Sequence, residues 1–259
     1  MNTLVFDIET VPDVEFGCRL YGLHGLDDAE VAKAMQAQAR QSTGSDFLPH
    51  EQQRIVAISC AFRSRDGFKV WSLGDLQANE REIVERFFDG IDKFTPTLVS
   101  WNGGGFDLPV LHYRALRHSV AAPRYWEMGD EDSSFRYNNY LSRFHWRHTD
   151  LMDVLSGFQG RARASLSDTA VLLGFPGKIG FDGSQVWPTY LAGDLIRIRR
   201  YCETDVVNTY LIFLRFELIR GRLSASECAH EIERVRQWLA ASGEPHFAEF
   251  LQAWGVQGA

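Results

Sequence analysis

The chain has 259 residues, 45% of them hydrophobic, and a net charge of −7 at pH 7. This is enough apolar material for the core of one α/β domain over 1–259, with or without a small insertion. The acidic balance excludes a general nucleic-acid coat protein, whose backbone binding rests on clustered lysine and arginine. It does not exclude a protein whose metal ions supply positive charge locally.

Met1 and Asn2 lead directly into the apolar run Thr3 to Glu9, which reads as a buried first strand. With no basic leader and no long apolar span, a cytoplasmic protein that does not enter a membrane is expected. After Thr10-Val11-Pro12-Asp13 comes a polar stretch with a helical segment near Asp27 to Gln41, read as an insertion over roughly residues 16–50. Arg54 to Phe62 and Lys69 to Leu73 form strands, joined by a hairpin turn at Arg65-Asp66-Gly67. Ile83, Val84, Phe87, Phe88, Ile91 and Phe94 recur at helical spacing over Asn79 to Phe94. Thr97 to Trp101 is a fourth strand, feeding three glycines and a helix over about Phe106 to Arg117. This order fits a mixed sheet with an embedded parallel crossover.

Pro123 to Trp146 is aromatic and polar without a period, so it is expected to be irregular, with room for mobility. His148 to Asp153 begins a short strand or helix. Ser165-Leu166-Ser167-Asp168 has the form of a capping box, and Gly174 ends that helix before Pro176. A helix over about Leu191 to Arg220, whole or broken near its middle, is followed by C-terminal helices over roughly 224–254. Cys18, Cys60, Cys202 and Cys228 form no CxxC pair and no zinc-type spacing, so they read as reduced thiols, with Cys202 a small helix-packing residue.

Three separated segments carry the chemistry: Phe6-Asp7-Ile8-Glu9-Thr10, Asn102-Gly103-Gly104-Gly105-Phe106-Asp107 and Tyr201-Cys202-Glu203-Thr204-Asp205. Strand alternation puts Asp7 and Glu9 on one face. Asp107 opens a helix, where an acid is also an ordinary first-turn residue. Tyr201 and Asp205 share a helical face at a spacing of four. Each segment alone has a plain structural explanation, and together they supply four acids and one phenol. Phosphodiester hydrolysis needs an activated nucleophile and neutralised charge, which two divalent ions roughly 4 Å apart supply. Hard ions such as Mg2+ or Mn2+ take carboxylate oxygens, so Asp7, Glu9, Asp107 and Asp205 are candidate ligands.

These motifs, in this order, resemble the DnaQ-like 3′-5′ exonucleases of the RNase H-like fold, in the tyrosine subclass called DEDDy. Within it the chain is similar to stand-alone bacterial proteins related to the exonuclease domain of family B DNA polymerases. The resemblance runs from Leu4 to about Leu214. It implies a mixed β-sheet flanked by helices, with an early helical insertion and a helical C-terminus. It also implies a metal-dependent hydrolase that removes nucleoside 5′-monophosphates from single-stranded 3′ ends, with DNA favoured and RNA open. In that reading Asp7, Glu9, Asp107 and Asp205 hold two metal ions, Tyr201 orients the attacking water, and Thr10, Asn102 and Phe106 touch the terminal nucleotides. Lys178 and Ser184, in a segment typical of the stand-alone relatives, are phosphate contacts or plain loop residues.

The early insertion and the stretch near Tyr125 to Trp146 have no counterpart in the pattern, and too little chain follows Asp205 for a polymerase. The alternative is a nucleic-acid-binding or scaffold module without turnover, against which the complete set of four acids and tyrosine speaks. An oligonucleotide- or RNA-specific exonuclease stays open. Basic residues bunch at Arg161, Arg163, Lys178, Arg197, Arg199 and Arg200, as substrate contacts or solvated charge. His145, His148, Asp150 and Asp153 fit no strong ligand signature, and Asp150 reads better as an N-cap or a supporting acid. His112 and His118, six apart on one helix, read as structural.

Overall fold

A computed structural model describes residues 2–257, with side chains through Gly255. Its centre is a five-stranded sheet of β1 (Thr3–Pro12), β2 (Gln53–Ser64), β3 (Gly67–Ser72), β4 (Thr97–Ser100) and β5 (His148–Asp150), in the order β3-β2-β1-β4-β5. β1 pairs antiparallel with β2 and parallel with β4, and β5 continues the parallel half. The central place of β1 explains why its sequence is a continuous apolar run, since both of its faces are covered. Leu4, Phe6 and Ile8 pack on one face with Val84, Phe87 and Leu111. Val5 packs on the other with Val206, Val207 and Tyr210. Asp7 and Glu9 follow the parity of Val5.

The first face is covered by α3 (Glu80–Phe94) and α4 (Asp107–His118), the helices expected from periodicity. Asn79 caps α3 by accepting a hydrogen bond from the Glu82 amide. The second face is covered by α9 (Leu195–Ile219), which is unbroken over 25 residues, or ~37 Å at ~1.5 Å per residue. It starts later than the sequence suggests because Ala192-Gly193-Asp194 separates it from the short α8 (Val186–Leu191), and Asp194 caps it. α10 (Ala225–Ser242) and α11 (Pro245–Gln257) close over α9 through Val235, Leu239, Phe247, Phe250 and Trp254. No helix among the described residues is long and apolar enough to cross a membrane.

The insertion holds α2 (Asp28–Thr43), as expected, and also α1 (Val14–Tyr21), which the sequence reading did not resolve. Both are capped, by Asp13 and by Asp27. α1 has local start and stop signals in Asp13 and Gly22, but Gly17 in its middle weakens its helical propensity. The reason for Gly17 is tertiary: a Cβ there would meet Met35 Sδ of α2 at 2.3 Å. Met35 is fully buried with Val31, Ala39 and Leu48.

The 123–146 stretch is irregular apart from α5 (Pro123–Trp126) and a 3-10 turn. Within it Tyr125, Phe135 and Tyr140 are almost fully buried, and the rings of Tyr125 and Tyr140 stack at 5.6 Å. At Ser165 only half of the reciprocal capping pair forms, with its hydroxyl accepting from the Asp168 amide ahead of α7 (Leu166–Leu172).

A buried charge network ties the insertion to α4. Arg114 donates to Asp13 at 2.7 Å and, through two nitrogens, to Glu80. Glu80 also accepts from the Ile55 amide at 2.7 Å and from His118 at 2.8 Å. Buried ions are tolerated when their partners are complete, and removing one partner leaves a costly uncompensated charge. The network therefore fixes α4, the helix that begins at Asp107.

Candidate active site

The pairing of β1 with β4 ends at Val5 and Val99, so the part of β1 that carries Asp7 and Glu9 runs on past the end of β4, whose loop turns into α4 at Asp107. Ligands of open α/β sheets gather at carboxyl ends of this kind. The register of β1 against β2 shifts between Glu9 and Thr10. Such bulges re-aim side chains next to functional sites.

Within the loop, Asn102 adopts a left-handed backbone (φ 64°). Its amide and that of Gly104 donate to the two carboxylate oxygens of Asp150, at 3.0 and 2.8 Å. Asp150 also caps α6 (Leu151–Leu155), so it supports the loop rather than forming a second acidic centre. Gly103 is required by close approach, since a Cβ there would meet Ser100 Oγ at 2.3 Å. The loop delivers Asp107, 4% exposed, whose carboxylate accepts the Ile8 amide hydrogen bond at 3.1 Å, directly between Asp7 and Glu9.

α9 brings the third segment onto the opposite side. Asp205 is 5% and Tyr201 7% exposed, one turn apart. Tyr201 packs on Phe181 with ring centroids 4.8 Å apart, and the ammonium of Lys178 stands 5.3 Å from the Tyr201 ring centre. Cys202, between them, is fully buried, with its sulfur 3.4 Å from both the backbone and a carboxylate oxygen of Asp7. Its place against Asp7 exceeds the packing role expected of it. No local signal announces a contact across 195 residues.

The electrostatics follow from burying like charges together. Burial pushes Asp7 and Glu9 well above the usual carboxylate range, and the neighbouring acids add to the rise. Burial raises Asp107 to about 7, against the opposing hydrogen bond from Ile8. Asp205 rises to about 6 through burial, with Lys178 and Tyr201 pulling the other way. Tyr201 is held above its ordinary range by burial and then by Asp205, Glu9 and Asp7, so its hydroxyl stays protonated.

These residues suit hard cations. Asp205 Oδ1 is buried without a hydrogen-bond partner among the described residues, a rare condition that a cation would relieve. Ligand atoms of Asp7, Glu9 and Cys202 lie within 4.8 Å of one another. Burial keeps Cys202 a thiol, and hard ions prefer oxygen, so it serves Asp7 as a hydrogen-bond donor.

The other sequence candidates are distributed unevenly. Phe106 flanks Asp107, and its ring meets two aromatics of the insertion, Phe47 at 5.3 Å and His50 at 5.8 Å. His50 Nε2 is also 3.0 Å from the Gly105 carbonyl. Phe47 is 61% exposed, and neither residue was singled out from sequence, because nothing near them in the chain hints at contact with Phe106. Thr10 donates to Gln53 at 2.9 Å. Ser184 donates to Asp182 within a 3-10 turn, so its hydroxyl is engaged there. Of the basic cluster, Arg163 pairs with Asp153, Arg199 binds the carbonyls of Leu73, Gly74 and Asp75, and Arg200 lies 4.0 Å from Glu244. Arg197 lies over Phe181, and Arg161 is exposed. Only Lys178 of that cluster acts directly on the acids. His112 bonds the Tyr125 hydroxyl and His118 bonds Glu80, both structural as expected.

Residues 45–254 match the family described as predicted 3′-5′ exonucleases related to the exonuclease domain of PolB. That span includes Asp107, Tyr201 and Asp205 and begins after Asp7 and Glu9. Among curated proteins, a DNA polymerase of Archaeoglobus fulgidus is 24% identical over 171 residues, 65% of this chain and 21% of that protein. The catalytic polypeptide of DNA polymerase epsilon from Emericella nidulans is 26% identical over 145 residues, 54% of this chain and 6% of that protein. The chain thus spans a small part of these relatives. A family B DNA polymerase from the hyperthermophilic archaeon Pyrobaculum calidifontis superimposes with a TM-score of 0.50 and 18% identity, over 85% of this chain and 24% of that one. With Asp7, Glu9, Asp107 and Asp205 brought together past the carboxyl end of β4 and more than half of its length matched, the chain belongs to the predicted 3′-5′ exonucleases related to the exonuclease domain of PolB.

Proposed function

We propose that the chain removes nucleotides from single-stranded 3′ ends, DNA in preference to RNA, by metal-dependent hydrolysis that releases nucleoside 5′-monophosphates. The observation that carries this reading is the convergence of Asp7, Glu9, Asp107 and Asp205, from three distant segments, with an unpartnered buried oxygen on Asp205. These four acids would hold two Mg2+ or Mn2+ ions. Bound there, the ions neutralise charge on the scissile phosphate and ease deprotonation of the attacking water.

The chain's own groups supply the rest. Tyr201, kept protonated by its acidic surroundings, can donate a hydrogen bond and orient a water near Asp205. Lys178 adds a nearby side-chain cation, suited to a phosphate oxygen. Phe106, extended by Phe47, offers faces on which a terminal base can stack irrespective of sequence. A duplex interior hides its base faces, so frayed or single-stranded ends are preferred. Four free cysteines support a reducing, cytoplasmic setting.

Incubation with 5′-labelled linear and internally labelled circular single-stranded DNA, with Mg2+, Mn2+ or chelator, tests the reading. Stepwise shortening of the linear strand, dependent on metal and blocked by a 3′ cap, is expected. Comparable cutting of the circle would refute it.

A further inference from the structure

A cleft of about 800 Å³ lies away from the acids. Thr3 and Thr97, at the amino ends of β1 and β4, form part of its wall, as do Tyr210, Leu214 and Glu217 from the far half of α9. From Thr3 to Asp7 and Glu9 the strand rises ~13 to 20 Å at ~3.3 Å per residue. The cleft and the acids therefore lie apart along one face of the sheet.

Its composition departs from that of the chain. Four arginines (Arg63, Arg65, Arg220 and Arg222) line it against two glutamates, in a protein of net charge −7. Arg63 is taken by Glu231 and Arg220 by Glu217, at 2.6 and 2.7 Å. Arg65 and Arg222 are exposed and form no ion pair among the described residues. The same cleft is lined by the most exposed aromatics among the described residues, Tyr137 at 83% and Phe144 at 70%, with Trp146 at 46% under the Arg220 guanidinium. Asn138 Oδ1 and Thr149 Oγ1, both on residues lining the cleft, are buried without hydrogen-bond partners among the described residues. Buried polar atoms left alone are rare, and a bound polar group or water supplies the missing partner.

Exposed aromatic faces beside unpaired guanidinium groups are the elements that hold a single strand, the rings stacking bases and the cations tracking phosphates. We propose that this cleft binds the single-stranded nucleic acid several nucleotides upstream of the 3′ end, as a second subsite remote from the acids. At ~3.4 Å per stacked nucleotide, the separation corresponds to at least ~4 to 6 nucleotides. The assignment extends the exonuclease reading, and its test is one of binding alone.

The test uses the Asp205→Asn chain, with and without Arg65→Ala, Tyr137→Ala and Arg222→Ala, three exposed positions whose replacement is checked by circular dichroism. Fluorescence anisotropy with a 5′-labelled single-stranded 20-mer and a trimer reads the affinity. The triple variant is expected to bind the 20-mer at least ~10-fold more weakly, with the slope of log affinity against log salt reduced by ~1.4, two phosphate contacts at ~0.7 each. The trimer, too short to reach the cleft, is expected to change less than twofold. Equal loss for both lengths, or none for the 20-mer, would overturn the proposal. Competition with free AMP separates the remaining source of the same chemistry: loss of AMP binding with retained 20-mer affinity makes the cleft a mononucleotide site and also overturns it. Failure of the wild-type chain to hydrolyse the trimer would count against the acid cluster and leave this binding result standing.

Discussion

Asp107 offers a direct test of the acid cluster without substrate. It is 4% exposed, and burial raises its carboxyl from 3.8 to about 7. The unfolded chain loses this proton near the ordinary value, so the folded state holds it more tightly. Below the unfolded value the two states do not differ in charge at this site. Stability is lost as pH rises between the two values, and the loss is complete above the folded one. The full interval corresponds to ~4 kcal/mol at pH 8, and less than half of that at pH 5. Asp107→Asn removes the charge and keeps an oxygen to accept the Ile8 amide hydrogen bond. In chelator at pH 8 the variant should therefore be more stable than the wild type by up to ~4 kcal/mol, or ~8 °C in Tm for a chain of this length.

Thermal unfolding followed by circular dichroism in chelator, at pH 5 and pH 8, measures it. The gain should shrink at the lower pH. With excess Mn2+ it should diminish or reverse, because the wild type gains binding free energy in the folded state only. A variant no more stable than the wild type at pH 8, or equally stabilised at both pH values, would show that Asp107 is not a buried charge among other acids.

Tyr201→Phe keeps the ring on Phe181 and removes the hydroxyl; turnover should fall ~10- to 1000-fold with KM nearly unchanged, and unchanged turnover in single-turnover assays would reduce Tyr201 to packing. Phe47→Ala removes an exposed ring at little structural cost, and KM for single strands should rise ~5-fold or more with kcat retained; steady-state kinetics showing no change would detach the insertion from the substrate. Arg114→Ala strands Asp13 and Glu80 in the interior and should cost ~3 to 5 kcal/mol in denaturant unfolding, a loss under ~1 kcal/mol being incompatible with the buried network.

What the sequence revealed was local. β1 was legible because a central strand needs an apolar run, and α3 because Ile83, Val84, Phe87, Phe88 and Ile91 repeat at helical spacing. Asp7, Glu9, Asp107 and Asp205 could be named because their motifs are short and sit at a strand, a helix start and a helix face. α1 was missed because Gly17, which lets it pack on Met35, interrupts its short pattern, although Asp13 and Gly22 mark its ends. The 123–146 stretch hid its order because Tyr125, Phe135 and Tyr140 have no common period and are aligned only by tertiary stacking. Phe47 and His50 reach Phe106, and Cys202 reaches Asp7, across separations that no window of sequence spans.

Net charge illustrates the same limit. A value of −7 argues against a protein coated in cations, and that inference concerns an average. Recognition responds to the distribution, since fields inside clefts are set by the nearest groups and their dielectric surroundings. The fold separates charge along one face of the sheet: four acids lie past the carboxyl end of β4, beside the middle of β1, and four arginines toward the amino ends. α9 spans both, with Tyr201 and Asp205 in its first half and Glu217 and Leu214 beside the cleft in its second. One helix therefore fixes the spacing between the acid cluster and the arginine cleft, and its rigidity, from burial of most of its length, would hold that spacing constant while substrate moves.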